Sequence, residues 1–431
     1  MHPTGSSWLV VFWTVLSHFG LQARLVPEFS SFVKEQTYLD RRVILSLATD
    51  VVTDHGSFLY AVCDSQETIF KDTRCNVTVE TPAFANASYR DTCPVSVRAE
   101  DPERESLTEL SLHPFTEDKV LLTWNVKDLD WRTKSVQVRV LHQASGCKSH
   151  DAAVLQADKL VAVIPYENTF DLVVRALDVS MCGSDYCKLT LNAEGKRING
   201  PSPFLSSVSN NNKRARVSAV LLAALRSPMK GFFVLAFVSN EMDKLRILRV
   251  STDGKGTEVA QTGSSIGVKG SSAHDLLSVC WTAGNTNVTC RQYDAKMVPR
   301  FDAVLEFPDE PGARRWLRPH NLQDGGLLLL TGVPGGKDNR RFESFSVVKI
   351  GAAGQRERPL EVDGLDFECL RAEDLLVNVA EEDNDEFCFH FVCERADFDR
   401  NKGIRSTLKF ATKCLPRRHV APLKHRPSLL N

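Results

Sequence analysis

One short segment of this chain matches the pattern of a catalytic serine turn. Residues 263–267 read G-x-S-x-G, a pattern that works when a strand turns sharply into a helix and presents the serine hydroxyl as a nucleophile. The residues that follow, 268–272, are rich in glycine and serine and do not favour a helix. We therefore interpret the match as part of a loop and assign no catalytic residue.

A second glycine-rich segment, residues 332–337, resembles a phosphate-binding loop. Such a loop needs four residues between its first glycine and the Gly-Lys pair, and a serine or threonine after the lysine to meet magnesium. Here one residue is missing and Asp338 follows the lysine. We interpret the segment as a glycine-rich turn between the arms of a hairpin, and no cofactor is predicted.

Three residues with metal-binding side chains lie close together at His142, Cys147 and His150. Imidazole and thiolate are ligands of zinc, but the paired CxxC spacing of a structural zinc site is absent. We expect Cys147 to be oxidised, so no metal ligand is assigned.

Carboxylates are concentrated at a predicted hairpin tip, where they could bind calcium, which favours oxygen ligands. The spacing matches no known calcium loop, so we interpret the tip as a solvated turn. The residues are Glu381, Glu382, Asp383, Asp385 and Glu386.

A hairpin pattern recurs along the whole chain. Each copy begins with an apolar run that is too short for a helix and fits a strand covered on both faces. A polar turn follows, and then an alternating run that fits a strand with one covered and one wetter face. The seven copies are 58–63 with 75–79, 120–124 with 136–140, 160–164 with 170–177, 232–237 with 245–250, 276–281 with 288–293, 327–330 with 345–350, and 375–379 with 387–392.

This repeat predicts an all-β fold, a single β-propeller of about six or seven four-stranded blades over residues 38–414. In the second half the copies start roughly 45 to 50 residues apart, the period of such blades, whereas the first-half spacings are about 60, 40 and 70 residues. One small sheet cannot cover its own apolar face, so neighbouring sheets must stack around a ring.

The first half of the chain also supports a second architecture. Trp124 is followed by the alternating run 136–140, and Pro165 precedes Phe170 at the start of another alternating run. This arrangement resembles a fibronectin type III domain over about residues 106–195. The resemblance implies one such module joined to a separate β domain, and a break in the ring between Asp178 and Pro228 would favour it.

The first 23 residues predict a secretory signal peptide. Residues 8–16 are apolar and uncharged, and Ala23 offers a small residue at the cleavage point. The run is too short to span a bilayer, and no later stretch approaches the twenty apolar residues that a span needs. Residues 415–431 predict a basic, disordered tail. We therefore expect a secreted, extracellular protein with no membrane span.

The 12 cysteines are an even number, as expected of a protein from an oxidising compartment. Their positions on predicted hairpins and short loops make four pairs candidates for disulfides. The pairs are Cys63 with Cys75, Cys182 with Cys187, Cys280 with Cys290, and Cys388 with Cys393.

Three N-x-S/T sequons, at Asn76, Asn86 and Asn287, predict glycosylation on exposed turns. The basic cluster from Lys213 to Arg216 ends a predicted loop, and we interpret it as solvated chain rather than as a site of proteolytic processing.

The tryptophans are interpreted as core residues that pack the blades, not as platforms for a ligand. Those considered are Trp124, Trp131, Trp281 and Trp316.

The net charge of −1 gives no broad field that would favour nucleic acid or an anionic membrane. With no catalytic, cofactor or metal residue assigned, the sequence favours an extracellular binding module for a protein or glycan partner. Two alternatives stay open. A propeller-type hydrolase would be favoured by three or more carboxylates or imidazoles near the axis, and a receptor-like ectodomain by the fibronectin-type module.

Overall fold

The computed structural model describes most of the chain in separate stretches. The stretches are 30–39, 41–47, 58–65, 73–80, 90–95, 97, 99–116, 119–142, 148–149, 153–166, 168–204, 219–226, 232–238, 244–250, 256–264, 266–283, 287–307, 315–335, 341–362, 367–369, 375–382, 386–399 and 403–416. The predicted signal peptide, residues 417–431 and the cluster from Lys213 to Arg216 lie outside them.

The described residues form seven antiparallel sheets, and most neighbouring strands within a sheet are consecutive along the chain. The first blade contains β2 (Arg42–Leu47), β3 (Phe58–Ser65), β4 (Arg74–Glu80) and β5 (Arg90–Val95). The second contains β6 (Ser106–Thr116), β7 (Lys119–Lys127), β8 (Thr133–His142) and β10 (Ala153–Leu155), with the short β9 (Lys148–Ser149) beside β8. The third contains β11 (Ala157–Tyr166), β12 (Thr169–Ala176), β13 (Tyr186–Asn192) and β14 (Arg197–Phe204), with a 3-10 turn at Val179–Met181.

The remaining four blades repeat this arrangement. The fourth contains β15 (Ala219–Arg226), β16 (Phe232–Val238), β17 (Lys244–Val250) and β18 (Gly256–Ser264). The fifth contains β19 (Ile266–Ala273), β20 (Leu276–Ala283), β21 (Asn287–Asp294) and β22 (Pro299–Glu306). The sixth contains β23 (Trp316–Asn321), β24 (Leu327–Gly335), β25 (Arg341–Ile350) and β26 (Leu360–Val362), with β27 (Phe367–Glu368) beside β25. The seventh contains β28 (Leu376–Glu382), β29 (Glu386–Asp399), β30 (Gly403–Pro416) and β1 (Ser30–Leu39).

The two ends of the chain close the ring in the seventh blade. Strand β1 pairs with β30 along its whole length, from Ser30 opposite Cys414 to Leu39 opposite Arg405. It begins before residue 38, where the sequence places the start of the propeller. Its side chains from Glu35 onward alternate between exposed and half-buried. An outer strand with so little apolar content gives only a weak sequence signal.

The hydrophobic core lies between blades rather than within them. One cluster joins Val77 and Cys93 of the first blade to Trp124 of the second. Further clusters join the second blade to the third, the third to the fourth, the fifth to the sixth, the sixth to the seventh, and the seventh to the first. The stacking of sheets around a ring, predicted from the hairpin repeat, is therefore confirmed, and the protein is an all-β propeller.

The short spacing before the third predicted hairpin and the long spacing after it have a structural cause. Five of the seven copies are the second and third strands of their blades, but the third and seventh copies are the first and second strands. A copy that starts one strand early shortens the distance before it and lengthens the distance after it.

The fibronectin-type alternative is wrong. Residues 106–195 are divided between two blades, with Trp124 in the second and Phe170 in the third. The ring also continues beyond Asp178, because β13, β14 and β15 lie between that residue and Pro228.

The disulfides differ from the sequence expectation at one pair. The structure joins Cys63 to Cys75, Cys182 to Cys187 and Cys280 to Cys290. The expected pair of Cys388 with Cys393 is wrong, because residues five apart on one strand point to opposite faces of the sheet. Cys388 instead bonds with Cys414, and Cys393 with Cys369. Within the described stretches, no helix has the length and hydropathy needed to cross a bilayer.

Candidate functional site

A cleft of about 480 Å³ opens on the second blade, beside the segment that enters it from the first blade. This volume falls within the range of small-molecule sites. Its walls come from that segment, β7, β8, β10 and the residue after β10. The polar residues that line it are Glu100, Glu105, Lys134, Ser135, Gln137, Arg139 and Gln156.

The alternation of β8 explains why polar groups line the cleft. Val136, Val138 and Val140 pack against the third blade. Because side chains alternate across a strand, Ser135, Gln137 and Arg139 must point to the other face. They are buried there. The alternating run predicted at 136–140 therefore has one apolar face, and its other face presents buried hydrogen-bonding groups to the cleft.

An ion pair connects the two sides of the cleft. The Nζ atom of Lys134 lies 2.6 Å from Oε1 of Glu105, and the backbone N–H of Asp101 donates to Oε2 of Glu105 at 3.2 Å. The hydrogen bond to Glu105 raises the pKa of Lys134. With Glu100 and Arg139 included, the cleft carries two carboxylates and two cations, so its charges balance.

The turn between β7 and β8, residues 128–132, joins two strands that line the cleft and presents a tryptophan to solvent. Trp131 is 57% exposed and has φ 61°. The backbone N–H of Trp131 donates to the carbonyl of Asp128 at 3.0 Å, and the backbone N–H of Arg132 donates to Oδ1 of Asp128 at 2.9 Å. Lys134, on the cleft wall, is only three residues away, about 10 Å along an extended chain. The prediction that Trp131 is a core residue is wrong.

The same turn recurs elsewhere, and comparison shows that Trp131 is unusual. Five turns in the described stretches, this one included, share two backbone–backbone hydrogen bonds. Here the Trp131 N–H donates to the Asp128 carbonyl, and the Asp128 N–H donates to the Arg132 carbonyl at 3.0 Å. Each of the five turns has one residue with positive φ. This is a three-residue hairpin loop whose last residue favours glycine. That residue is Gly195, Gly325 or Gly354 in three turns and Met297 in a fourth. Met297 is buried, so its side chain contributes to packing. Trp131 has the same unfavourable backbone conformation, but its indole is exposed.

A second group of polar residues comes from three successive blades. Oε1 of Glu381, on β28, lies 3.8 Å from Nε2 of His274 in the β19–β20 turn and 4.0 Å from Nε2 of His320 on β23. The same oxygen accepts a hydrogen bond from the N–H of Gln323 at 2.9 Å. All three side chains lie at or just beyond the end of the first strand of their blade.

This group corrects the interpretation of the acidic hairpin tip. Glu381 is buried against neighbouring blades, with its side chain 6% exposed, rather than solvated. Glu386 is half-buried, and residues 383–385 lie outside the described stretches. The sequence could not reveal the contact because His274 and His320 are far from Glu381 along the chain.

The described residues of the two enzyme-like motifs lie in strands. Residues 263–264 end β18 and residues 266–267 begin β19, so G-x-S-x-G joins two strands and no helix follows it. Gly332 lies in β24, where an added Cβ would be 2.8 Å from Cδ1 of Phe345. The close packing of Phe345 therefore explains why glycine is found at this position.

The remaining predicted sites are scattered. His142 ends β8, while Cys147 and His150 lie outside the described residues. Asn76 lies within β4 and Asn287 begins β21, so neither sequon is in a turn, and Asn86 is outside the described residues. Trp124 and Trp281 are buried and Trp316 is half-buried, as core residues should be.

No protein-family model and no curated protein matches this chain. Solved structures of low identity are similar to it. A fungal lectin from Aleuria aurantia, a six-bladed β-propeller with a fucose recognition mode, has 12% identity and a TM-score of 0.37, covering 72% of this chain and 95% of the lectin. A chain of the mitotic checkpoint complex has 10% identity and a TM-score of 0.42, covering 84% and 88%. A prolyl endopeptidase has 12% identity and a TM-score of 0.39, covering 84% of this chain and 56% of the peptidase.

Proposed function

We propose that this protein is an extracellular binding module that holds a glycan at the cleft and the Trp131 turn of its second blade. The observation that carries the proposal is Trp131 itself. A large side chain occupies a backbone position that glycine would fill without strain, and it is exposed in the turn that joins two strands of the cleft. Strained residues are characteristic of functional sites.

The chemistry of the cleft supports a glycan rather than a charged ligand. Its two carboxylates and two cations balance, so it offers no net charge to a strongly ionic partner. Arginine, lysine and glutamine donate hydrogen bonds, glutamate and glutamine accept them, and serine does both. Sugar hydroxyls also donate and accept, and a sugar ring can lie against an exposed indole.

The extracellular location rests on other features. Five disulfides join described cysteines, and disulfides persist in oxidising compartments. The predicted signal peptide and the sequons at Asn76, Asn86 and Asn287 support the same location.

An array of neutral and acidic oligosaccharides tests the proposal. The secreted protein should bind one or more neutral glycans, and Gln137→Met, which removes an amide at nearly constant volume, should reduce that signal. Ile198→Ala, a substitution of an exposed residue on the third blade, is the control and should bind as the wild type does. If the protein binds no glycan but captures a protein partner, and Gln137→Met weakens that capture, then the cleft binds a protein rather than a glycan.

A hydrolase is the second candidate function. Glu381, His274 and His320 bring one carboxylate and two imidazoles together from different blades, and a propeller hydrolase would need three or more such groups near its axis. Release of p-nitrophenol from p-nitrophenyl esters and glycosides, lost in His320→Gln but kept in Gln137→Met, would favour the hydrolase over the binding module.

A further inference from the structure

We propose that Glu381, His274 and His320 form a site for a divalent transition metal of the zinc type, separate from the second-blade cleft. His274 of the fifth blade and His320 of the sixth each approach Oε1 of Glu381, which lies on the seventh blade, and each of the three residues lies near the end of the first strand of its blade. The proposal does not depend on what the cleft binds.

The carboxylate is held in a defined position. Its Oε1 accepts the Gln323 N–H at 2.9 Å, and the Glu381 side chain is 6% exposed. A hydrogen bond to a ligating carboxylate fixes its orientation, as is usual around protein-bound metals. His320 is 9% exposed and therefore also fixed by its surroundings.

Access to the site comes through the third member. His274 lies in the turn between β19 and β20, and its side chain is 34% exposed. A cation can therefore reach the buried carboxylate from solvent on the side of His274.

The combination of side chains selects the kind of metal. Two imidazole nitrogens and one carboxylate oxygen suit zinc and its neighbours among the divalent transition metals, whereas calcium and magnesium prefer oxygen ligands alone. Three protein ligands leave a position open for water.

Binding requires a local movement. Ligands at about 2.0–2.2 Å on a tetrahedral zinc lie roughly 3.3–3.5 Å apart, shorter than the 3.8 and 4.0 Å found here. The two imidazoles also approach Glu381 separately, and a metal must draw them together. His274, in its exposed turn, is the residue that can move.

Glu381, His274 and His320 are more widely spaced than another group of possible ligands. In the described part of the chain, Glu386, Cys388 and Cys414 place one ligand atom each within 4.8 Å of one another, which the two imidazoles and Glu381 reach only after the movement described above. However, Cys388 and Cys414 are joined in a disulfide and offer no thiolate.

Zinc titration of the tag-free, full-length secreted protein, after chelator treatment and dialysis, tests the proposal. Isothermal titration calorimetry should show one saturable site, and His274→Gln, His320→Gln and Glu381→Gln should each weaken it at least about tenfold. Asp275→Asn alters an exposed carboxylate in the same turn and should leave the affinity unchanged. With Co²⁺ in place of zinc, a visible absorption band should appear in the wild type and be lost in His274→Gln.

His274→Gln alters only an exposed turn residue, so it keeps the test valid if Glu381→Gln fails to fold. The absence of saturable zinc binding to the wild type would overturn the proposal. Zinc binding that survives unchanged in both His274→Gln and His320→Gln would also overturn it, because the metal would then lie elsewhere.

Discussion

Lys134 and Glu105 form a close ion pair, with Nζ 2.6 Å from Oε1, that ties the third strand of the second blade to the segment entering that blade. The carboxylate is almost completely buried, whereas the lysine is nearly half exposed. The pair therefore holds the two walls of the cleft at a fixed separation.

We expect Lys134→Met to destabilise the protein and to weaken binding at the cleft. The substitution leaves the buried Glu105 carboxylate with the Asp101 N–H but without its cation, and a buried charge that loses its partner is costly. Arg395→Met is the matched control, because Arg395 pairs with Glu368 where both side chains are about half exposed. Urea unfolding should show a clearly lower midpoint for Lys134→Met than for Arg395→Met, and equal midpoints would contradict the structural role of the pair.

We expect Trp131→Gly to weaken glycan binding without lowering the stability of the protein. Removing a non-glycine residue from positive φ relieves roughly 1–2 kcal/mol of strain, and the greater freedom of glycine in the unfolded chain offsets part of this gain. The free energy of unfolding should therefore stay constant or rise by up to about 1 kcal/mol, while glycan binding falls.

Met297→Gly is the matched control for that substitution, because Met297 occupies the equivalent turn position but is buried. Loss of a buried methionine side chain costs about 2–5 kcal/mol, more than the strain relieved. Urea unfolding measures both variants. If Trp131→Gly is destabilised as much as Met297→Gly, the indole packs against the blade and is not held out for a partner.

Two buried histidines should make the protein sensitive to acid. Burial lowers the pKa of His390 to about 3 and that of His113 to about 4. In the unfolded chain both titrate near 6.5, so below that pH the unfolded state binds protons that the folded state excludes. Stability is therefore fully present above pH 6.5 and falls as the pH drops towards 4 and 3.

The slope of stability against pH provides the measurement. His390→Asn should remove about 1.4 kcal/mol per pH unit of the decline between pH 6 and 4.5, because one unit of pKa shift corresponds to that free energy. Urea unfolding at several pH values gives the slope, which is independent of any constant cost of losing the His390 contact with Thr412. An unchanged slope would mean that His390 takes up a proton in the folded state.

Peptide mapping under non-reducing conditions should recover Cys388 linked to Cys414 and Cys369 linked to Cys393. Side chains five residues apart on β29 cannot meet, because they lie on opposite faces. A peptide containing Cys388 linked to Cys393 would show that β29 is not a continuous strand between them.

The sequence predicted the fold well because the blades carry strong local patterns. The apolar run at β24 and the alternation at β8 are visible without any knowledge of neighbours. Strand β1 was missed because an outer strand is half solvated and its closing partner, β30, is at the other end of the chain.

The candidate sites were much harder to predict, for two physical reasons. Glu381 looks like one of several hairpin carboxylates, and only the ring brings His274 and His320 to it. Trp131 looks like any core tryptophan, because its exposure depends on the left-handed backbone of a turn that the residue type itself disfavours.

The most direct test of the proposed function is calorimetric titration of the wild type, Trp131→Gly and Gln137→Met with the neutral oligosaccharide that gives the strongest array signal. We predict saturable binding to the wild type and a loss of at least about tenfold in affinity for each variant, with unfolding midpoints showing that both remain folded. Wild-type affinity in both variants would contradict the assignment of the second-blade cleft and its turn as the binding site.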